Sequence, residues 1–261
     1  MRLILIRHGE PDYRTDSLSE NGKREVELLA QRVKNWKIDD IYVSPLGRAQ
    51  QTAEPSLKLL GREAKTLDWL REFSYMIINP DHGNENVPWD YVPSHWTNDP
   101  KMLDQNDWVE AYPNDTNPRI KEMCKVTWDS LDELLSSYGF DRCGLYYNVR
   151  GGKNRRLTGT VKDRYIHVAN ELPEDDADPV IVFFCHYGIS CMIMSHLLNI
   201  PFPLLTHGIL MPTSSVTVLN AEERWDNQAY FRACPIGDTS HLRGSDVKIS
   251  SAGSYAPLFQ G

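Results

Sequence analysis

The first ten residues constrain the fold of this chain more than any other segment. Residues 3–6 are a continuous apolar run, and Arg7, His8 and Gly9 follow it directly. Such a short apolar run is typical of a strand buried in a parallel sheet, and ligands bind at the carboxyl ends of these strands. A guanidinium there can bind an anion through two hydrogen bonds, and a glycine lets the backbone come close to a ligand. The sequence therefore predicts an anion site at the end of the first strand.

Strand and helix patterns alternate through the first quarter of the chain. Strand patterns occupy residues 2–7, 41–43 and 65–70, and helix patterns lie between them, over about 20–36 and up to about residue 60. An alternating β-α-β-α-β order indicates a parallel sheet with right-handed crossovers. The later core elements are expected at 119–138 and 188–198 for helices and at 180–185, 215–219 and 229–234 for strands.

The middle of the chain interrupts this alternation. Residues 74–118 are rich in Asn, Asp, Pro, Trp and Tyr and show little periodicity, and they are too long for an ordinary loop in a compact domain. Two β-like runs within 143–168 flank the glycine pair 151–152, which predicts a hairpin. We expect one α/β domain over residues 1–261, a three-layer α/β/α arrangement with a mostly parallel central sheet and a cap insertion over about 74–168.

Three later segments complete a pattern that starts with the first motif. Residues 44–53 read Ser-Pro-Leu-Gly-Arg-Ala-Gln-Gln-Thr-Ala, residues 70–73 read Leu-Arg-Glu-Phe, and residues 184–188 read Phe-Cys-His-Tyr-Gly. With the Arg-His-Gly tripeptide, and in this order, they resemble the motifs of the histidine phosphatase (phosphoglycerate mutase-like) superfamily. The resemblance covers roughly residues 1–73 and 178–242 and implies a phosphoglycerate mutase-like fold.

The resemblance implies a role for five side chains. His8 is expected to be the nucleophile, because an imidazole that is neutral at the attacking nitrogen can accept a phosphoryl group. Its other nitrogen should then hold a proton against a backbone carbonyl or a similar acceptor. Arg7 and Arg48 are expected to clamp the phosphoryl oxygens, His186, as a histidinium, to stabilise the transferred group, and Glu72 to act as general acid and base. Three other acidic residues are alternatives for this last role: Glu10, Asp81 and Glu85.

Further residues are expected at the edges of the phosphate site. Gly9 and Gly188 lie just after the two histidines and are expected to help bind the phosphate. Many family members carry an asparagine a few residues after the first motif, whereas this chain has Tyr13 and Arg14 there, which are expected to take its place. Arg71, within the acid motif, is a third candidate for contact with the substrate.

Two sets of residues in the middle region have more than one interpretation. The basic cluster 153–156 can bind a second anionic group of the substrate or form a solvated hairpin tip. The aromatic residues of the insertion can form a lid over an organic substrate, the small core of the cap, or the surface of a homodimer. These aromatic residues are Trp89, Tyr91, Trp96, Trp108 and Tyr112.

Composition excludes several classes of function. Lys and Arg number 28 against 36 Asp and Glu, and a formal net charge of −8 is a poor match for nucleic acid, whose binding depends on phosphate neutralisation. The five cysteines are odd in number and have no CxxC spacing, so neither a disulfide framework nor a zinc site is expected, and a reducing cytoplasm is the natural location. No apolar stretch reaches the length of a membrane span. We therefore expect a small phosphorylated substrate as partner, and neither a metal nor a cofactor.

The function predicted from these motifs is metal-independent hydrolysis of phosphate monoesters through a phosphohistidine on His8. One alternative is a phosphoglycerate mutase-type phosphotransferase, which would also have to bind a carboxylate. Residues 74–118 contain only one lysine or arginine, Lys101, which favours hydrolysis. The other alternative, of a different class, is a catalytically inactive module that binds phosphorylated ligands, and the presence of all the core motif residues argues against it.

Overall fold

A computed structural model gives the structure of residues 1–151 and 178–260, which form a mixed α/β fold around one large sheet. The strands are β1 (Arg2–Arg7), β2 (Pro11–Asp12), β3 (Ser17–Leu18), β4 (Asp40–Val43), β5 (Lys65–Thr66), β6 (Ile77–Ile78), β7 (Glu85–Asn86), β8 (Phe140–Cys143), β9 (Tyr146–Val149), β10 (Val180–Cys185), β11 (Val216–Glu223) and β12 (Gln228–Ala233). The α-helices are α1 (Glu20–Val33), α2 (Gly47–Leu60), α3 (Pro93–Thr97), α4 (Pro118–Ser137), α5 (Tyr187–Leu198) and α6 (Phe202–Gly208). Short 3₁₀ helices lie at Asp68–Leu70, Pro100–Leu103, Asp107–Glu110, Asn114–Thr116, Trp225–Asn227 and Ser240–Leu242.

The central sheet has a parallel and an antiparallel half. Its eight strands follow the order β5-β4-β10-β1-β11-β12-β9-β8. The strands β5, β4, β10 and β1 pair in parallel, whereas β11, β12, β9 and β8 continue the sheet in antiparallel pairs. The predicted α/β fold is confirmed, and the parallel pairing that the β-α-β-α-β order indicates describes the half of the sheet that carries the sequence motifs.

Helices cover both faces of the sheet because its central strands are apolar on both sides. Side chains alternate between the two faces of a strand, so Ile4 and Ile6 of β1 pack with α1 and α2, while Leu3 and Leu5 pack in the core that contains α4 and α5. Every residue of β1 after Arg2 is buried. Burial on both faces explains why the run is uninterrupted, and it produces the three layers expected from the sequence.

The pairing of β1 with β10 brings two distant motifs to one edge of the sheet. Arg7 lies opposite Cys185 in the parallel register. The backbone N–H of His8 donates to the carbonyl of Cys185, with 2.9 Å between nitrogen and oxygen. Because parallel strands end at the same edge, His8 and His186 begin two loops that lie side by side.

Helix α1 fixes the loop that follows β1. The Ser19 hydroxyl caps the helix by accepting the N–H of Gly22 at 3.0 Å. Gly22 also lies against the backbone of Glu10, where a Cβ would fall well inside contact distance of the carbonyl oxygen. The helix ends at Val33, the last residue of its buried stripe, rather than near residue 36 as predicted.

The third predicted strand is much shorter than the sequence pattern suggests. Of the expected residues 65–70, only Lys65–Thr66 pairs with the sheet, and the chain then turns into the short helix Asp68–Leu70. The N–H of Leu70 closes this turn on the carbonyl of Leu67. The early turn takes the acid motif out of the sheet and towards the start of α5.

A hairpin forms just before the glycine pair at which the sequence predicts one. The strands β8 and β9 pair across a two-residue turn at Gly144 and Leu145, whereas most of the predicted hairpin around residues 151–152 lies outside the described residues. Gly144 has a φ of +60°, the left-handed conformation that tight hairpin turns require. Residues 152–168 lie outside the described residues, and the division into one domain with a cap stays a prediction.

Two other features concern membrane-spanning helices and the state of the cysteines. None of the helices in the described part of the chain combines the length and apolar character needed to cross a bilayer. All five cysteines are free thiols, and Cys124, Cys185 and Cys191 are buried. Burial raises the pKa of these three thiols, so they are poor nucleophiles.

The contact between Gly22 and Glu10 tests this packing. We expect Gly22→Ala to lower the free energy of unfolding by about 1–3 kcal/mol, because the new methyl group would press against the Glu10 carbonyl. The matched control is Gly208→Ala in α6, where a Cβ would meet no described atom within 4 Å, and its effect should stay within about 1 kcal/mol. Urea unfolding followed by circular dichroism measures both, and equal effects would contradict the close packing.

Candidate active site

The side chains of the core motifs meet at the carboxyl edge of the parallel strands. Arg7 ends β1 and His8 follows it, Arg48 lies in the first turn of α2, and His186 follows β10. All four are buried, and the two imidazole rings lie 5.1 Å apart between centroids. Glu72 lies beside them at the start of α5. The structure thus brings together the five side chains that the motifs single out.

His8 is held in the tautomer that a nucleophile requires. Its Nδ1 donates to the carbonyl oxygen of Gly9 at 2.8 Å, which leaves the lone pair on Nε2. Burial, together with the nearby charges of Arg7 and Arg48, lowers the pKa of His8 to about 3. The ring is therefore neutral at physiological pH, and the carbonyl acceptor predicted for its second nitrogen is present.

His186 is the second imidazole of the site. Its Nε2 lies 2.7 Å from the Ser44 hydroxyl oxygen. Burial lowers the pKa of His186 well below its ordinary value, and His8, Arg48 and Arg7 act in the same direction. Because two arginines already place positive charge here, a third buried cation needs an anion to balance it. The histidinium expected beside a transferred phosphoryl group stays a prediction.

Both arginines are oriented by oxygen atoms at the outer ends of their guanidinium groups. Arg7 donates through Nη1 to the carbonyl of Met211 at 2.7 Å and through Nη2 to that of Ala252 at 3.3 Å. Arg48 donates through Nη1 to Oδ1 of Asp16 at 2.5 Å. These contacts fix each guanidinium plane, and they leave the Nε atom of both arginines buried without a partner in the described part of the chain.

Three buried nitrogens of the site therefore need an acceptor. They are Nε of Arg7, Nε of Arg48 and Nδ1 of His186, none of which has a partner within residues 1–151 and 178–260. The Ser44 hydroxyl accepts the N–H of Leu46 at 3.3 Å, so its own proton can go to Nε2 of the imidazole and the ring proton stays on Nδ1. An unpaired buried N–H costs about 1–3 kcal/mol and is rare in folded proteins. An anion with several oxygen atoms would satisfy all three.

Glu72 is bound to the N-terminus of α5. Its Oε1 accepts the backbone N–H groups of Phe73 at 2.9 Å and Ile189 at 3.0 Å. Burial raises the pKa of Glu72, although these two donors oppose the shift. Gly188 makes room for the carboxylate, since a Cβ there would lie 2.7 Å from Oε1 and 2.6 Å from Cη2 of Trp89. The role of Gly188 in this structure is to admit Glu72, and contact with a phosphate stays a prediction.

The three alternative acids lie elsewhere. Glu10 accepts the Ser19 hydroxyl proton at 2.7 Å and so belongs to the cap of α1. Asp81 accepts the N–H of Val92 at 2.8 Å on the surface, and Glu85 is exposed in β7. Among these acidic candidates, Glu72 alone therefore adjoins the two histidines. Within the described residues, no three His, Cys, Asp or Glu side chains lie close enough together to hold a metal ion.

Gly9 packs closely against α1. Its N–H donates to the Thr52 hydroxyl at 3.0 Å. A Cβ at this position would lie 2.9 Å from both the Gly22 carbonyl oxygen and Cγ1 of Val26 in α1. The structure therefore gives Gly9 a packing role, and its contact with a phosphate stays a prediction.

Of the three residues expected to contact the substrate, Tyr13 is at the site. The Arg48 guanidinium lies over its ring at 5.5 Å from the centroid. Arg14 is 88% exposed and pairs with Asp12 at 2.9 Å, so its contact with the substrate stays a prediction. Arg71 is exposed and does not form part of the cavity wall described below.

Several positioning residues were missed by the sequence analysis. Asp16, which holds Arg48, also accepts the N–H of Gly47 at 2.7 Å and so caps α2. It lies in an irregular loop with a φ of +50°, and no local pattern marks it. Ser44 and Thr52 lie within the second motif, and their places near Arg48 were the signal that could have found them.

Glu25 is a buried acid that joins two loops of the site. It accepts the backbone N–H of Glu10 at 2.9 Å and the hydroxyl of Thr213 at 3.0 Å. Burial raises the pKa of Glu25 to about 7. Its position four residues before Leu29, on the apolar stripe of α1, was a signal available in the sequence.

A cavity of about 760 Å³ opens beside Arg7, Tyr13 and Glu72. Trp89, Tyr91 and Trp96 of the insertion line it, which favours the lid interpretation for these three residues. Trp108, in contrast, is fully buried in the core, and Tyr112 is exposed. The aromatic residues therefore divide among the interpretations. The basic cluster 153–156 lies outside the described residues.

Comparison of sequences relates this chain to phosphatases and mutases. Residues 3–124 match the family described as histidine phosphatase superfamily (branch 1). Phosphoserine phosphatase 1 of Hydrogenobacter thermophilus is 33% identical over 147 residues, which cover 53% of this chain and 59% of that protein. A probable phosphoglycerate mutase of Photorhabdus laumondii is 38% identical over 87 residues, or 30% of this chain and 40% of that protein. The chain thus spans less than two thirds of the length of these curated relatives.

Solved structures share the fold at low sequence identity. A phosphoserine phosphatase mutant from Entamoeba histolytica, in complex with phosphoserine, is similar over 92% of this chain and 98% of that chain, with a TM-score of 0.54 and 19% identity. A mycobacterial glucosyl-3-phosphoglycerate phosphatase is similar over 89% and 96%, with a TM-score of 0.52 and 17% identity. The likeness confirms the expected phosphoglycerate mutase-like fold.

We expect Glu25 to make the protein less stable as the pH rises from about 4.5 to 7. Its pKa is raised from 4.5 to about 7, so over this range the folded protein holds a proton that the unfolded chain has released. The contribution of protonated Glu25 to the free energy of unfolding is fully present below pH 4.5 and is lost as the pH rises through 7. The loss amounts to about 2–3 kcal/mol. Urea unfolding across this range measures it. Glu25→Gln should flatten the fall, the exposed Glu27→Gln should not, and equal slopes would contradict the assignment.

Motif order, geometry and comparison agree on the family. The motifs occur in the expected order, their side chains meet at one edge of the sheet, and residues 3–124 match the family. The similarity of fold extends beyond that match to most of the chain. Residues 3–124 of this chain thus match the histidine phosphatase superfamily, and the chain as a whole shares its fold with solved phosphatases.

Proposed function

We propose that this protein is a metal-independent phosphatase that hydrolyses phosphate monoesters through a phosphohistidine on His8. The observation that carries the proposal is the set of three unpaired buried nitrogens, on Arg7, Arg48 and His186, beside the neutral ring of His8. A phosphoryl group would offer an oxygen to each of them while its phosphorus faces Nε2 of His8. The naming of one relative as a phosphoserine phosphatase agrees with this activity.

In the first step the Nε2 lone pair of His8 attacks phosphorus, and the bond from phosphorus to the ester oxygen breaks. The arginines and the N–H of His186 stabilise the charge on the three peripheral oxygens, which is the main requirement of phosphoryl transfer. Glu72 gives its proton to the departing oxygen, so the product leaves as a neutral alcohol. Both backbone donors bind Oε1, so Oε2 is the oxygen that carries this proton.

In the second step a water molecule takes the place of the alcohol. The Glu72 carboxylate accepts a proton from the water, whose oxygen attacks phosphorus while the bond from phosphorus to Nε2 of His8 breaks. Inorganic phosphate leaves, and both side chains return to their starting protonation. A carboxyl group with a raised pKa serves both steps, because it can hold a proton in the first and accept one in the second.

Hydrolysis is preferred here to the mutase alternative. A mutase has to hold the carboxylate of phosphoglycerate as well as the phosphate. Within the described residues, Arg7 is the single lysine or arginine in the cavity wall, and it adjoins the phosphate position. The wall therefore supplies no second cation to bind a carboxylate.

We expect a covalent phosphoryl group on His8 during turnover. Rapid acid-free quenching with p-nitrophenyl phosphate, followed by mass spectrometry of the peptide that contains residue 8, should detect it. His8→Ala should abolish both the adduct and phosphate release, whereas the exposed His82→Ala should change neither. Release that persists in His8→Ala, or that a chelator abolishes, would contradict the proposal. Isomerisation of phosphoglycerate without release would favour the mutase.

We expect Glu72→Gln to discriminate between leaving groups. Hydrolysis of an alkyl phosphate needs a proton on the departing oxygen, so its rate should fall by about 100-fold or more. The first release of p-nitrophenolate, a good leaving group, should slow much less. Later turnovers of the variant should be slow, because the amide cannot activate the water that cleaves phosphohistidine, so the first release should appear as a burst. Equal losses for both substrates would contradict the proposed role.

A further inference from the structure

The cavity beyond the phosphate position has a wall of unusual composition. It is lined by aromatic rings from three parts of the chain: Trp89, Tyr91 and Trp96 from the insertion, Tyr187 from α5, and Tyr255 from the C-terminal segment. Arg7 and Glu72 line the same cavity. If the proposed function holds, the alcohol part of the substrate therefore extends past Glu72 into an aromatic chamber.

Asp90 is the acidic group of this chamber away from Glu72. Its Oδ1 accepts the phenolic proton of Tyr255 at 2.6 Å, and its Oδ2 accepts an amide proton of Asn86 at 2.7 Å. Both partners are neutral, so they hold the carboxylate in place without cancelling its charge. No lysine or arginine of the described chain forms an ion pair with it.

His207 lies in the same wall, between two of its aromatic rings. Its Nδ1 donates to the carbonyl of Pro203 at 2.8 Å, which leaves a lone pair on Nε2. That nitrogen is buried and has no partner in the described residues. The ring stacks on Trp96 with 4.6 Å between centroids. Burial lowers the pKa of His207, which keeps Nε2 an acceptor at neutral pH.

The C-terminal segment links the two ends of the chamber. The carbonyl of Ala252 accepts a hydrogen bond from Arg7 at the phosphate end, and Tyr255 binds Asp90 at the other. The N–H of Ser254 closes a turn on the carbonyl of Ser251. The Cα atoms of Ala252 and Tyr255 are therefore closer than about 10 Å, the distance that three extended residues would span. The phosphate position and Asp90 therefore lie on the length scale of one small substrate.

We propose that the substrate is a phosphate monoester whose alcohol carries an ammonium group. This inference rests on the proposed function and names the substrate class of that site. Aromatic faces attract cations, and a fixed carboxylate supplies the opposite charge. The phosphate would bind at Arg7 and Arg48 and the ammonium at Asp90.

The same wall disfavours an alcohol that carries only a carboxylate. A negative group brought next to Asp90 and the faces of aromatic rings meets repulsion and leaves water without a compensating cation. Phosphoglycerate should therefore bind more weakly than an ammonium compound of similar size. A purely apolar alcohol would fill the chamber but would leave the charge of Asp90 without an opposite charge.

Binding of two matched phosphonates tests this inference. The first, 3-aminopropylphosphonate, is the analogue of phosphoethanolamine in which a methylene replaces the ester oxygen. The second, butylphosphonate, has a methyl group in place of the ammonium group. Isothermal titration calorimetry should give a Kd about tenfold or more lower for the amino compound. Neither compound can be hydrolysed, so the measurement does not depend on turnover. Equal affinities would overturn the inference.

Two variants test whether Asp90 causes the preference for the amino compound. Asp90→Asn should bring the two affinities close together, mainly by weakening the amino compound. Glu85→Gln removes the same charge from an exposed position of the insertion and should keep the preference. A preference that survives Asp90→Asn, or that Glu85→Gln abolishes equally, would contradict the assignment to Asp90.

Hydrolysis separates this inference from the proposed function. Phosphoethanolamine should be hydrolysed with a higher kcat/KM than propyl phosphate, by about the same factor as the binding ratio. Turnover of p-nitrophenyl phosphate with no preference in either assay would support the phosphatase and reject the ammonium site. A binding preference without any turnover would reject the phosphatase and retain the site.

Discussion

The parallel register of β1 and β10 is the constraint on which the rest of the site depends. Arg7 lies opposite Cys185, and the N–H of His8 binds the Cys185 carbonyl, so two motifs far apart in sequence end at the same height. A shift of one residue would exchange the side chains that pack on the two faces of a strand, which the close-packed core on each face opposes. Burial of both strands on both faces therefore also fixes the distance between the two histidines.

The positive charges of the site are fixed in position by the fold itself. Arg7 and Arg48 are held by Met211, Ala252 and Asp16, and both remain buried. Such preorganisation removes the cost of reorienting dipoles during reaction. This preorganisation lowers the stability of the fold, since it leaves buried nitrogens unpaired. The positioning residues are consequently as important to this site as the groups that would contact phosphate.

Sequence reasoning found what repeats along the chain and missed what depends on long-range contact. The strand before Arg7 and the order of motifs predicted the α/β fold and the convergence of the five main side chains. The lowered pKa of His186 was missed, because burial beside two arginines cannot be read from one strand end. The close packing of Gly9 against α1 was missed for a related reason, because the direction of a missing Cβ is set by neighbours distant in sequence.

The neutrality of His8 and His186 couples ligand binding to proton uptake. With both rings uncharged, the phosphate position has only the charges of the two arginines beside it. A phosphate dianion reverses the field that keeps His186 deprotonated, so the complex would bind a proton that the free protein does not. By linkage, the affinity for the dianion would then strengthen as the solution becomes more acidic, and the heat of binding would vary with the ionisation heat of the buffer. The pocket would thus accumulate positive charge only when an anion is there to balance it.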